Sequence, residues 1–190
     1  MMKTIVFLLE EPSAREMLQG LLPRLMGDSF SFRFIVFEGK QDLEKNLTRR
    51  LRGWLQPKTT FVVLRDLDAN PDCESVKNSL VQKCHEAGKS DAIVRLACRE
   101  LESWYFGELA AVERALNIRG LADFTRRQAF RVPDQIANPA MELYRITNRG
   151  YQKVLGSRRI GAELSTNPND NTSTSFRVFL RSMIKLKEET

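Results

Sequence analysis

Several carboxylates directly follow a short apolar run near the middle of the chain. Residues 61–64 (Phe-Val-Val-Leu) are typical of a buried strand in a parallel sheet, and Asp66 and Asp68 come directly after them. Side chains alternate along a strand, so these two aspartates would share one side if the chain stays extended. Carboxylate oxygens at that spacing suit Mg²⁺ or Mn²⁺. Because Asp, Asn and Pro are also turn formers, a solvated loop is the alternative.

Two further pairs of acids follow other apolar runs. Glu10 and Glu11 end the first run of the chain, and Glu100 and Glu102 follow the last one. Parallel strands place their carboxyl ends on one edge of a sheet, where ligands bind in open α/β folds. Gathered carboxylates repel unless a cation lies between them, so we expect a divalent metal and phosphoryl-transfer chemistry. For Glu100 and Glu102 the alternative is favourable charge in the first turn of a helix.

The elements that must position these acids alternate along the first half of the chain. Apolar runs predict strands at residues 4–9, 32–37, 61–65 and 92–97. Apolar stripes predict a helix beginning at Pro12 and two more over residues 41–55 and 73–87. This order predicts an α/β fold, a four-stranded and mostly parallel sheet with helices on both faces.

Beyond Ala97 only helices and loops are predicted. Helices are expected over residues 99–106, 108–117, 151–164 and 176–186, and an irregular loop over residues 165–175. Residues 133–148 are expected to hold a short helix around Met141, Leu143 and Tyr144. We therefore expect one domain over residues 1–190, in which residues 1–98 form the α/β core and residues 99–190 a mostly helical cap.

The positive charge of the chain is concentrated in the second half. Lys and Arg number 30 and Asp and Glu 24, which gives a net charge of +6. Nine basic and three acidic residues lie between Arg119 and Arg159, so this segment accounts for the whole surplus. A basic surface on a protein with an acidic site predicts an anionic partner, most simply nucleic acid. A solvated basic surface is the alternative.

The spacing of the cysteines and the hydropathy of the chain indicate the cellular compartment in which we expect the protein. Three cysteines without a CxxC pair argue against a disulfide framework and favour a reducing, cytoplasmic environment. No apolar run is long enough to span a membrane, so no membrane partner is expected.

The arrangement of acids resembles the Toprim fold shared by topoisomerases, bacterial primases and the overcoming-lysogenisation-defect nucleases. In that pattern a glutamate follows the first strand and an Asp-x-Asp pair follows the third, matched here by Glu10, Asp66 and Asp68. More narrowly, the chain resembles a Toprim-like family called domain of unknown function 4276. The matching motifs are Glu-Glu-Pro-Ser at residues 10–13, Gly-Lys-Gln-Asp at 39–42, Glu-Leu-Glu-Ser-Trp-Tyr-Phe-Gly at 100–107 and Ser-Thr-Ser-Phe at 173–176.

The resemblance implies a Toprim-like sheet, a nuclease or phosphodiesterase that depends on Mg²⁺ or Mn²⁺, a role in bacterial anti-phage defence and a neighbouring ATPase as partner. From residues and resemblance together we predict Glu10, Asp66 and Asp68 as metal ligands, and Glu102 as a second-metal ligand or a base. Glu11 and Glu100 are further candidates.

The remaining candidates each have a plain structural alternative. Arg65, Lys153, Arg158 and Arg159 are predicted to contact nucleic-acid phosphates, and for the last three the alternative is a solvated helix face. Ser173 and Ser175 are candidates for positioning metal, although capping of the last helix is preferred. Trp104 and Tyr105 are expected to pack in the core and not to stack on bases.

Two other functions compete with a nuclease. One is a phospho-acceptor receiver domain, which would need a fifth strand that ends in a lysine. The other is a non-catalytic module that binds nucleic acid or a partner through the basic helical half.

Overall fold

The computed structural model describes residues 2–189, within which one sheet and eight α-helices are present. The strands are β1 (Lys3–Leu9), β2 (Phe30–Val36), β3 (Thr59–Asp66) and β4 (Ile93–Ala97). Three helices connect them, α1 (Pro12–Met26), α2 (Lys40–Arg52) and α3 (Cys73–Glu86). The alternation follows the apolar runs and helical stripes of the sequence.

All four strands are parallel, in the order β2-β1-β3-β4. The central strands β1 and β3 are covered on both faces, which is why their sequences are unbroken apolar runs. Leu9 pairs with Leu64 in the register between them. The residues that follow these two strands therefore meet at one border of the sheet, which we call the carboxyl edge.

A separate hydrophobic core lies on each face of the sheet. On one face Val6, Leu8 and Val63 pack against α2 and α3. On the other face Phe7 and Leu64 share a core with α1 and with residues of the C-terminal half. Because this second core is continuous, buried apolar surface joins the C-terminal half to the sheet.

Five helices form most of the C-terminal half: α4 (Glu102–Phe106), α5 (Leu109–Leu116), α6 (Pro139–Ile146), α7 (Lys153–Glu163) and α8 (Thr174–Glu188). Helix α7 packs on α1 so closely that a Cβ on Gly161 would lie 2.1 Å from the carbonyl oxygen of Met17. Only glycine permits that approach. The contact fixes α7 on the same side of the sheet as α1.

The predicted α/β fold is confirmed, and the strand bounds differ from the prediction by at most two residues. The short helix expected around Met141, Leu143 and Tyr144 is α6, and before it the chain makes 3₁₀ turns at Ala122–Arg126, Gln128–Phe130 and Pro133–Gln135. Turns this short show no helical periodicity in a sequence. A further 3₁₀ turn, Pro168–Asp170, lies in the segment predicted to be irregular.

Cys73, Cys84 and Cys98 are free thiols, as their spacing predicted. None of the helices between residues 2 and 189 is long and apolar enough to cross a membrane.

Candidate functional site

Acids from three elements interact at the carboxyl edge. Glu10 and Glu11 follow β1, Asp66 is the last residue of β3, and Glu102 is the first residue of α4. The register of β1 and β3 brings the first three to one level, and α4 follows directly after β4. We call these residues, together with Asp68, the carboxylate cluster.

Asp66 is the most perturbed member of the cluster. It is 9% exposed, and no hydrogen bond or ion pair from any described residue reaches its carboxylate oxygens. Burial raises the pKa of Asp66 well above its ordinary value, and the negative charges of Glu11, Glu102 and Glu10 raise it further. The protein therefore holds this carboxylate where its charge is poorly compensated.

Glu10 lies beside Asp66 at the end of the neighbouring strand. Its Oε2 atom accepts a hydrogen bond from the backbone N–H of Asp66 at 3.2 Å and lies 3.8 Å from Nε of Arg65. Burial and the negative charge of Asp68 raise the pKa of Glu10 in spite of these contacts. Its Oε1 atom accepts no hydrogen bond from the described residues.

Glu102 is fully buried, with 0% exposure. Its Oε1 atom accepts a hydrogen bond from the Tyr151 hydroxyl at 2.7 Å, whereas its Oε2 atom has no partner among the described residues. Burial raises the pKa of Glu102, while Lys153 and the Tyr151 hydroxyl favour the charged form. Behind Tyr151, Ser157 lies 3.2 Å from the same hydroxyl and accepts a hydrogen bond from Tyr105 at 2.8 Å.

Lys153, the first residue of α7, is the cation nearest to this side of the cluster. Its Nζ atom lies 2.7 Å from Oε2 of Glu11, and Ser13 donates a hydrogen bond to the other oxygen of Glu11. Burial alone would lower the pKa of Lys153, but the charges of Glu102, Glu11 and Asp66 raise it overall. Lys153 is thus held in the charged form at the site, as its predicted contact with phosphate requires.

Asp66 and Asp68 would share one side only if the chain stayed extended, and it does not. The strand ends at Asp66, and Asp68 adopts a left-handed conformation with φ of 56°. Its carboxylate pairs with Nζ of Lys40 at 2.7 Å, at the start of α2, and this contact raises the pKa of Lys40. The negative charge of Asp68 therefore acts on Glu10, while its carboxylate is committed to Lys40.

Arg65 is not available as an exposed phosphate contact. Its side chain is 5% exposed, forms ion pairs with Glu44 and Glu10, and donates a hydrogen bond to the carbonyl of Asp66 at 3.0 Å. Alternation along β3 turns it away from the Asp66 side chain and toward α2. Its guanidinium holds the end of β3 in place and partly compensates the negative charge of Glu10.

Three further candidates have structural roles. Glu100 accepts a hydrogen bond from the backbone N–H of Ala140 at 2.9 Å and so stabilises the first turn of α6. Ser173 caps α8, as preferred from the sequence, by accepting a hydrogen bond from the N–H of Phe176 at 3.2 Å. Ser175 accepts a hydrogen bond from the indole of Trp104 at 2.9 Å.

The two aromatic residues predicted for the core are buried, and the two arginines predicted to contact phosphate lie on the exposed face of α7. Trp104 and Tyr105 are fully buried and pack in the core, as predicted. Arg158 is exposed but pairs with Glu16 at 3.4 Å and with Gln19 of α1. Arg159 is exposed and makes no hydrogen bond or ion pair within the described chain, so it is the freer of the two.

The donor set is chemically suited to Mg²⁺ or Mn²⁺, because every candidate ligand atom is a carboxylate oxygen. Within residues 2–189, no three Asp, Glu, His or Cys side chains are grouped so that together they could hold a metal ion. Mg²⁺, however, is usually held by one or two carboxylates, with waters and substrate phosphates completing its shell. Uncommitted oxygens remain on Asp66, on Glu10 at Oε1 and on Glu102 at Oε2, and one or two of these acids would be enough ligands for such an ion.

Sequence reasoning missed Tyr151 and Ser157, which hold Glu102, and Lys40, which pairs with Asp68. Lys40 belongs to the Gly-Lys-Gln-Asp motif at residues 39–42, and its place in that motif was the signal that could have identified it. Tyr151 and Ser157 had no signal, because only the packing of α7 brings them near residue 102.

Comparison with curated proteins gives no match, and comparison with solved structures gives none either. The family model described as Domain of unknown function (DUF4276) matches residues 9–184, which include every member of the carboxylate cluster. The chain belongs to this family.

Proposed function

We propose that the protein is a metal-dependent phosphodiesterase that acts on nucleic acid. The observation that carries the proposal is the pair of buried acids Asp66 and Glu102, each of which keeps a carboxylate oxygen without a hydrogen-bond partner among the described residues. A buried charge without a partner is costly and persists where a ligand or a reaction uses it. Carboxylates in this situation are the usual ligands of catalytic Mg²⁺ and Mn²⁺.

The local charge balance supports a bound cation. Among the described residues, ion pairs bring three cations, Lys40, Arg65 and Lys153, to the six acids formed by the cluster and Glu44. In the proposal, Asp66 and Glu10 hold the ion from the ends of neighbouring strands. The ion would supply Lewis acidity and a water of lowered pKa.

Residues around this pair have distinct roles in the proposal. Glu102 accepts the proton of the attacking water, because its raised pKa brings a glutamate closer to the working range of a general base. Tyr151 fixes the orientation of Glu102 by its hydrogen bond to Oε1. Lys153 stabilises negative charge on the phosphoryl oxygens.

Two features favour nucleic acid over a small phosphate ester. All nine basic residues between Arg119 and Arg159 are exposed, so the C-terminal half offers cations that could contact backbone phosphates in the proposal. Beside Lys153, a groove of about 310 Å³ is lined by Met141, Tyr144 and Tyr151, with Tyr144 42% exposed. An exposed aromatic ring beside a cation is suited to stacking on a base.

The relation to Toprim nucleases, the bacterial defence role and the ATPase partner remain proposals that follow from the motifs. The receiver-like alternative needs a fifth strand, whereas the sheet within residues 2–189 has four. The non-catalytic module is separated from the enzyme by the following experiment.

The test is cleavage of end-labelled single-stranded DNA, single-stranded RNA and duplex DNA with Mn²⁺ and with chelator. We expect Mn²⁺-dependent cleavage that Asp66→Asn abolishes and that Glu102→Gln slows by about a hundredfold or more. Asp28→Asn, at an exposed position away from the cluster, is the matched control and keeps full activity. Binding without cleavage would identify the non-catalytic module, and cleavage by Asp66→Asn would refute the site.

A further inference from the structure

A cavity with both charged and apolar lining residues lies between β4 and the C-terminal half of α8. It has a volume of about 560 Å³, within the range of small-molecule sites. Its lining includes Thr60, Ile93 and Arg95 from the strands and Arg181, Ser182 and Lys185 from α8. We call it the β4–α8 cavity. None of the residues that line it belongs to the carboxylate cluster, and it extends from Thr60, near the start of β3, to Arg95, which pairs with Leu64 in the sheet.

Arg95 is the unusual residue of this cavity. It interrupts the otherwise apolar strand β4, whose neighbouring side chains Val94 and Leu96 are buried against the opposite face. Its Nε atom donates a hydrogen bond to Ser182 at 2.8 Å, and its Nη1 atom donates one to the carbonyl of Val94 at 2.6 Å. These bonds orient the guanidinium but bring no opposite charge to it.

No carboxylate of the described chain forms an ion pair with Arg95. Two of its five N–H groups are engaged, so three donors remain for a ligand. Burial lowers the pKa of Arg95, and no carboxylate among the described residues lies close enough to offset this effect by an ion pair. A partly buried cation of this kind is stabilised by an anion.

Two more cations of the lining come from α8. Arg181 is exposed and has no ion-pair partner among residues 2–189, and Lys185 pairs only loosely with Glu189 at 3.6 Å. The acids Asp91 and Glu189 also line the cavity, but neither is paired with an arginine. Arg95 and Arg181 are therefore cations without an ion-pair partner among residues 2–189, and three basic against two acidic side chains leave the lining with a net charge of +1.

We propose that the β4–α8 cavity binds a small molecule through an oxyanion group, phosphate or carboxylate. The planar guanidinium of Arg95 presents its N–H donors in a fork that matches such groups, and Arg181 adds a second cation. Ile93, Val178 and Leu186 supply apolar surface for the rest of the ligand. This site is distinct in position and in charge from the carboxylate cluster.

The test is isothermal titration of the full chain, in chelator, with three probes: inorganic phosphate, adenosine monophosphate and citrate. We expect at least one probe to bind the wild type, with phosphate and carboxylate ligands distinguished by which binds more tightly. Arg95→Gln should weaken binding by at least about tenfold, the effect of losing one hydrogen bond to a charged group. Arg95→Lys should restore part of the affinity, because it restores the charge.

The matched control is Arg33→Gln, an exposed arginine on the opposite edge strand β2, which should bind like the wild type. Without ligand, Arg95→Gln should melt no lower than wild type, because it removes an uncompensated and partly buried charge. If Arg95→Gln does not fold, Arg181→Gln at the exposed rim decides, since it should also weaken binding. Equal affinity in wild type and both variants, or no binding of any probe at millimolar concentration, would overturn the proposal.

Discussion

Replacement of Asp66 by asparagine tests the carboxylate cluster without a substrate. The amide keeps the shape of the side chain and removes one negative charge from a buried position next to Glu11, Glu102 and Glu10. It also offers N–H donors to those carboxylates. We therefore expect Asp66→Asn to melt at a higher temperature than wild type in the presence of a chelator.

The size of the effect follows from the pKa of Asp66. Each pH unit by which the folded-state pKa lies above the ordinary value costs the ionised protein about 1.4 kcal/mol of stability. For a chain of this length, 1 kcal/mol corresponds to roughly 2–4 °C in melting temperature. Every such pH unit should therefore raise the melting temperature of the variant above that of the wild type by roughly 3–6 °C near neutral pH.

The raised pKa of Asp66 determines the direction in which the stability of the wild type changes with pH. Because the pKa of Asp66 is raised on folding, the folded wild type binds more protons than the unfolded chain above the ordinary pKa of 3.8. Its stability falls as pH rises from there to the folded-state pKa. Asparagine has no such proton, so the advantage of Asp66→Asn should grow over that window and then become constant.

Added Mn²⁺ should reverse the order of the two proteins. A ligand at 100 times its dissociation constant stabilises a protein by about 2.7 kcal/mol, roughly 5–10 °C here. The wild type should gain this stabilisation and Asp66→Asn should gain little.

Differential scanning calorimetry over a pH series, with chelator and then with Mn²⁺, measures both effects. Asp28→Asn is the control and should follow the wild type throughout. A generic packing defect would lower stability under both conditions. If Asp66→Asn melts below wild type in chelator and Mn²⁺ shifts neither protein, the reasoning about the cluster is refuted.

Two further predictions concern the surroundings of the site. Tyr151→Phe should lower the free energy of unfolding by about 1–3 kcal/mol, because it leaves the buried Glu102 without its hydrogen bond. The loss of stability should be larger at a pH where Glu102 is ionised than at low pH. The control variant Tyr144→Phe, on an exposed ring, should change stability little. Arg159→Gln should reduce the salt dependence of duplex binding by about 0.9 in log–log slope if this arginine contacts one phosphate; an unchanged slope, equal to that of Arg33→Gln, would remove it from the interface.

Much of the fold could be predicted because its signals are local. The central strands are buried on both faces and so are uninterrupted apolar runs, and α1 begins at Pro12, which suits a first helical turn. The cap of α8 by Ser173 was readable for the same reason, since the serine directly precedes an apolar helix. The turns between α5 and α6 were not readable, because they are too short to carry a period.

The sequence by itself determined which acids reach the carboxyl edge, because parallel strands end together and Glu10 and Asp66 follow buried strands. Only the tertiary structure decided which side chains contact those acids. A left-handed residue at Asp68 turns its carboxylate to Lys40, and the packing of α7 on α1 brings Lys153 and Tyr151 to Glu11 and Glu102. Strand ends are set by local hydrophobicity, whereas these contacts join residues far apart in the chain and depend on how helices pack.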